Sequence, residues 1–125
     1  MLTEESRTAL GRRCEEIAAE YLRGQGYRLI DRNVRMRFGE IDVVARDGDA
    51  LCFVEVRARS STRFGWPEES VTRQKRQRLI RLAQGYLRRL RGVPVPVRFD
   101  VLSILLGPDG APTRMRLIKG AFEAA

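Results

Sequence analysis

Two acidic side chains stand where apolar ones are expected. Asp42 interrupts the run Ile41–Ala45, Glu55 interrupts Leu51–Val56, and Asp47-Gly48-Asp49 lies between them. An Asp-Gly pair between two such runs is a strong hairpin signal. A charge inside a strand that otherwise reads as core costs free energy unless something satisfies it. A two-residue loop at Gly48-Asp49 pairs Asp47 with Ala50, Arg46 with Leu51, Val44 with Phe53 and Asp42 with Glu55. Alternation then predicts one face bearing Glu40, Asp42, Glu55 and Arg57, and another burying Ile41, Val43, Cys52, Val54 and Val56. Side chains opposed in this way lie about 4.5–5.5 Å apart at Cβ, and like charges there repel unless a cation intervenes. A three-residue loop would send the two acids to opposite faces and dissolve the site.

Paired carboxylates on adjacent strands, with a basic group two residues past the second, suit phosphodiester cleavage. Hard oxygen ligands select Mg²⁺ or Mn²⁺, which keep several waters and bind phosphate oxygens beside one or two carboxylates. Such an ion polarises a phosphoryl oxygen and lowers the pKa of water, so no histidine is required. The expected metal ligands are Asp42 and Glu55. Arg57 would stabilise charge developing on the phosphate, and Glu15 could lend a further oxygen from the first helix. The plainer alternative for the strand residues is a structural ion-pair patch. Glu15 would then be solvated, and Lys75 would be a snorkelling lysine at the end of an apolar stripe.

Composition narrows the classes. The 125-residue chain has 24 Lys+Arg against 16 Asp+Glu, a net charge of +8, and most of its basic side chains are Arg. Arginine forks onto phosphate oxygens, so the balance favours polyanions or acidic membranes. The chain contains no histidine, which removes His-ligated zinc and every His-dependent nucleophile. Cys14 and Cys52 lack C-x-x-C spacing and read as reduced structural cysteines of a cytoplasmic protein. The N-terminus lacks the apolar core of a signal peptide. No apolar run approaches the ~18 residues of a membrane helix. The whole chain, 1–125, reads as one domain.

These residues need a scaffold. Thr3 with Glu4 and Glu5 reads as a helix start. Leu10, Cys14, Ile17, Ala18, Tyr21 and Leu22 form its stripe, and Gly24 to Gly26 its stop. Glu15 lies beside that stripe. Tyr27–Arg35 is the expected first strand, and the hairpin supplies the next two. Ser60–Trp66 reads as a loop ended by Pro67, where Trp66 either stacks on a base or packs the loop. Thr72–Leu90 is a second helix whose inner stripe, Leu79, Ala83, Tyr86, Leu87 and Leu90, runs into Lys75 and Arg76 at its start. Val93–Pro96 is a stiff connector, Val97–Leu106 a strand, 107–110 a turn and Thr113–Lys119 a last strand. Asp100 is expected to pair with an arginine, and Tyr21, Tyr86 and Phe99 to be core. The expected fold is α/β, a mixed sheet of about five strands with the first helix on one face and the second opposite or at an edge.

G-E-I-D followed by F-V-E-V-R-A-R resembles the D…(D/E)-x-K core of the restriction-endonuclease-like superfamily. More narrowly, the chain resembles the YraN family of bacterial predicted endonucleases, distant relatives of archaeal Holliday junction resolvases. The likeness runs from Gly11 and Glu15 through Gly26-Tyr27, Asn33, Gly39–Asp42, Phe53–Arg59, Lys75 and Ala83 to Arg98-Phe99-Asp100-Val101, ending near Phe122. It implies a single-domain restriction-endonuclease-like core, with Asp42 and Glu55 as metal ligands and Glu15 as the helix-borne acid. It makes the Arg57 position the catalytic base or phosphate clamp, and leaves a homodimer open as the assembly. The superfamily usually has lysine where this chain has Arg57. Arginine stays protonated, so it is no general base. Three options follow: a metal-activated water with Arg57 as clamp, Lys75 reaching in from the second helix, or binding without cleavage.

The leading expectation is therefore a Mg²⁺-dependent endonuclease on DNA, with branched or single-stranded DNA in view. The alternatives are a nucleic-acid-binding module of the same fold that no longer cuts, and an adaptor whose basic face docks an acidic protein.

Overall fold

Gly48, with φ of 60°, turns the chain at the expected two-residue corner, and Asp47 faces Ala50 across it. A computed structural model describes residues 4–90 and 95–124, with side chains from Gly11 onward. The helix start at Thr3 and the connector's Val93-Pro94 lie outside the described residues, as does the side chain of Leu10. Helix α1 spans Glu4–Gly24. It stops because Gly26 adopts φ of 91°, and the Tyr27 and Gly26 amides donate back to the Leu22 and Arg23 carbonyls. That is the glycine-closed C-terminus that a helix uses to satisfy its last carbonyls. Strands β1 (Arg28–Met36), β2 (Gly39–Asp47) and β3 (Ala50–Arg59) follow. A short 3-10 turn at Pro67–Ser70, helix α2 (Arg73–Leu90) and strands β4 (Val97–Leu106) and β5 (Pro112–Phe122) complete the order. Thr72 caps α2, its hydroxyl oxygen accepting the Lys75 amide at 3.3 Å.

The five strands form one sheet in sequence order, antiparallel except for β3 and β4, which run parallel. A parallel pair needs a crossover, and α2 lies within it. The two helices cover opposite faces, as the sequence leads one to expect. Ala18 and Leu22 of α1 pack with Val43, Ala45, Cys52, Val54, Leu102 and Ile104. Leu79, Leu82, Ala83 and Tyr86 of α2 pack with Ile41, Val44, Leu51, Phe53 and Phe99. Ile41 departs from expectation here: it joins the α2 side, while Val43, two residues on, joins the α1 side. The alternation of β2 is therefore broken at Asp42. The chain is already unusual alongside, where Asn33 of β1 has φ of 52°. Asparagine is among the few residues besides glycine that tolerate this conformation.

One polar centre ties the sheet together. The Asp100 carboxylate is fully buried. It accepts the Tyr27 hydroxyl at 2.6 Å, Arg98 Nε and Nη2 at 2.8 and 2.9 Å, and the Gly120 amide at 2.9 Å. Arg98 reaches on to Asp47 at the hairpin corner, 2.8 Å away, and Lys119 of β5 meets the same Asp47 oxygen at 3.0 Å. Asp100 thus pairs with arginine, as expected. Burial raises its pKa, but Arg98, Tyr27 and the Gly120 amide outweigh burial and hold it below the usual range. Burial pushes the Cys52 thiol beside it up to about 12, which leaves that cysteine inert. No helix among the described residues is long and apolar enough to cross a membrane.

Candidate active site

The break in β2 builds the site. The β2–β3 ladder runs from Asp47/Ala50 to Val43/Val54 and stops one pair short of Asp42 and Glu55. In place of ladder pairing, the Val56 amide donates to Asp42 Oδ2 at 2.8 Å. Asp42 and Glu55 are thus not the directly opposed pair that the two-residue loop predicts. Asp42 borders a cleft of about 180 Å³ beneath α1, alongside Glu15, Asn33 and Val56. Glu55 takes its charged neighbours, Arg57, Arg78 and Lys75, from the α2 side.

The charge of Glu55 acts on Asp42. Burial, then the charge of Glu55, raises the Asp42 carboxyl to about 7; only the Val56 amide and the Arg57 charge pull it down appreciably. Burial also raises Glu55, opposed first by Arg57. Arg57 Nη1 lies 3.5 Å from Glu55 Oε1, a loose ion pair on the face they share. Asp42 makes no ion pair among the described residues. A buried carboxyl near a second acid, with a single backbone donor, gives up its proton only around neutrality unless a cation arrives.

The basic groups are held by the 3-10 turn. Ser70 Oγ donates to the Pro67 carbonyl at 2.6 Å and accepts Arg57 Nε at 2.8 Å. Lys75 Nζ donates to the Ser70 carbonyl at 3.1 Å. Burial first, and then the Arg57 charge, lower the Lys75 pKa. The structure therefore brings Glu55, Arg57 and Lys75 together and places Asp42 beside them. Glu15 shares the Asp42 cleft but is exposed, and it accepts the Asn33 side-chain amide at 3.3 Å.

Several supporting residues escape a reading of the sequence. Glu68 of the 3-10 turn accepts the Ser103 hydroxyl at 2.6 Å, Arg114 at 3.1 and 3.3 Å, and Arg116 at 3.1 Å. Burial would raise the Glu68 carboxyl, but these donors, Arg114 foremost, bring it down to about 2. The Arg114 guanidinium lies 4.2 Å over the Trp66 ring, so Trp66 packs the loop onto β5. A serine inside V-L-S-I-L-L was the available hint, because a hydroxyl in a core strand needs a partner.

Residues 14–104 match the model of the uncharacterised protein family UPF0102. The chain belongs to that family. It is 53% identical over 115 residues to a UPF0102 protein of Symbiobacterium thermophilum, covering 92% of this chain and 97% of that one. A UPF0102 protein of Syntrophus aciditrophicus is 44% identical over 124 residues, covering 99% and 94% of the two chains. One from Pelotomaculum thermopropionicum is 42% identical over 118 residues, covering 94% and 98%.

Proposed function

We propose that this UPF0102 chain is a metal-dependent endonuclease of the restriction-endonuclease-like, YraN type. On this proposal it is a cytoplasmic protein that hydrolyses phosphodiester bonds in DNA, with branched or single-stranded DNA as the preferred forms. The observation that carries the proposal is the Asp42 carboxyl: raised to about 7 by burial and by the charge of Glu55, with no ion-pair partner among the described residues. The donor set suits Mg²⁺ or Mn²⁺, since both expected ligands are carboxylates and the chain has no histidine. No three acidic or cysteine side chains converge among the described residues. The protein would thus contribute two carboxylates and leave the remaining positions to water and substrate, as magnesium sites commonly do. When bound, the ion supplies the Lewis acid that polarises the phosphoryl oxygen and lowers the pKa of water.

The remaining work falls to side chains. Arg57, steadied by Ser70, presents its guanidinium to a phosphate beside Glu55 and offsets charge as it builds there. Lys75 sits one carbonyl away with a lowered pKa. It is the only candidate of the pair that can give up a proton. Glu15 lies at the rim of the Asp42 cleft and orients Asn33. Replacing Asp42 by Ala is expected to abolish Mg²⁺-dependent cleavage of a branched and single-stranded DNA panel. The loss should exceed the roughly 10–100-fold typical of groups that only support a metal ligand. Undiminished turnover by that variant would end the proposal.

The Arg57 position also favours a second function, a nucleic-acid-binding module that does not cut. An arginine that is both ion-paired to Glu55 and fixed by Ser70 cannot act as a base. Salt-sensitive DNA binding with no turnover that EDTA can remove would select it.

A further inference from the structure

A second charged feature lies on α2, away from the carboxylates. The β1–β2 turn carries Arg37 and Phe38, and Phe38 is 78% exposed with the Arg37 guanidinium 5.5 Å from its ring centre. Beside it an open groove of about 460 Å³ is lined by Arg37, Phe38, Arg78, Arg81, Arg88 and Arg89, together with an apolar floor. Not one acidic residue lines it. None of these five arginines forms an ion pair among the described residues. Arg78 to Arg88 spans about 15 Å of helix at 1.5 Å per residue. The turn is seated firmly: a Cβ on Gly39 would touch Leu82 at 3.3 Å, and one on Gly85 would meet Met36 at 2.9 Å. Phe38 therefore projects from a fixed base rather than from a loose tip.

We propose that this groove binds single-stranded nucleic acid, with Phe38 stacking on an unpaired base and the arginines of α2 holding the adjoining backbone phosphates. The proposal rests on the nucleic-acid half of the function given above and names the form of substrate. A row of uncompensated guanidinium groups calls for a polyanion. An exposed ring beside them calls for something flat, and bases offer a flat face only where they are unpaired. Duplex DNA keeps those faces stacked away, and an acidic peptide has none. Arg78 connects the groove to the carboxylate centre, because its charge also acts on Glu55. A strand lying along α2 is thereby led toward Asp42 and Glu55.

The test is fluorescence anisotropy on the full chain in EDTA, which separates binding from any cleavage. The probes are a labelled oligothymidylate, a duplex of the same length, and polyglutamate. Phe38→Ala should weaken oligothymidylate binding about tenfold, as loss of one stacked base does, and leave duplex binding unchanged. Phe38→Trp should restore it. The double variant R81E/R88E should weaken both nucleic acids and flatten the dependence on salt. All of these positions are exposed, and circular dichroism melts of the variants should match the parent. The groove assignment is overturned if Phe38→Ala binds oligothymidylate normally, loses duplex binding equally, or if polyglutamate binds as tightly as the oligonucleotide. Binding through Phe38 with no metal-dependent turnover would overturn the nuclease proposal alone. Turnover with a silent Phe38→Ala would overturn the groove alone.

Discussion

Two aspartates on strands of one sheet, both largely withdrawn from solvent, have been given opposite surroundings. Asp100 accepts four donors from Tyr27, Arg98 and Gly120 and is held ionised. Asp42 accepts one backbone amide, feels the charge of a second acid, and has its carboxyl raised to about 7. Burial is common to the two; the number of donors is what differs. A carboxylate saturated by its own protein has nothing left to offer a ligand, and one left short of positive partners does. The contrast separates the fold's anchor from its candidate site without reference to any relative.

The comparison can be broken most forcefully at the anchor. Asp100→Ala removes the acceptor from Arg98 and Tyr27 and should cost about 3–5 kcal/mol in urea denaturation, as breaking a buried ion pair does. A variant as stable as the parent would mean that Asp100 anchors nothing. Asp42→Asn should do the reverse. Between pH 3.8, the ordinary value, and about 7, the folded state holds the Asp42 proton more tightly than the unfolded chain does. Stability therefore falls as pH rises through that window and levels off above it. The neutral amide avoids this penalty, so Asp42→Asn should gain up to about 4 kcal/mol near pH 8, the gain shrinking toward pH 5. A gain that does not vary with pH would show that charge is not its origin.

The same proton competes with a cation. Mn²⁺ affinity measured by calorimetry should rise up to about tenfold per pH unit below 7 and flatten above it, with proton release on binding. Flat affinity across that range would place the ion elsewhere. The smallest effect is expected at Arg57→Lys, which keeps the charge and loses the fork. Cleavage should change by a few-fold at most, whereas Arg57→Gln should reduce it further. Equal losses for both would make the Ser70 contact, rather than the charge, the important feature.

The scaffold was readable because its signals are local. Asp47-Gly48 fixed the hairpin register through Val43/Val54, and the apolar stripes of α1 and α2 assigned their faces. The site was readable only in its membership. That β2 changes face at Asp42 depends on the left-handed Asn33 alongside and on a side chain taking over a ladder bond, neither of which leaves a periodic trace. Strict alternation therefore assigns Ile41 to the wrong side and sets Asp42 and Glu55 squarely opposite. The Glu68 cluster was hidden for a different reason: its partners lie 35 to 48 positions away and come from two strands. Charge balance across such distances has no signature in spacing.

The ties at the hairpin corner also set an order of events during synthesis. Asp47 waits for Lys119, and Asp100 waits for the Gly120 amide, both carried by β5. A nascent polypeptide still short of β5 can form the hairpin that bears Asp42 and Glu55, yet its far end remains unfastened. The ribosome therefore delivers two of this sheet's fasteners only after the hairpin, α2 and β4 have already been made.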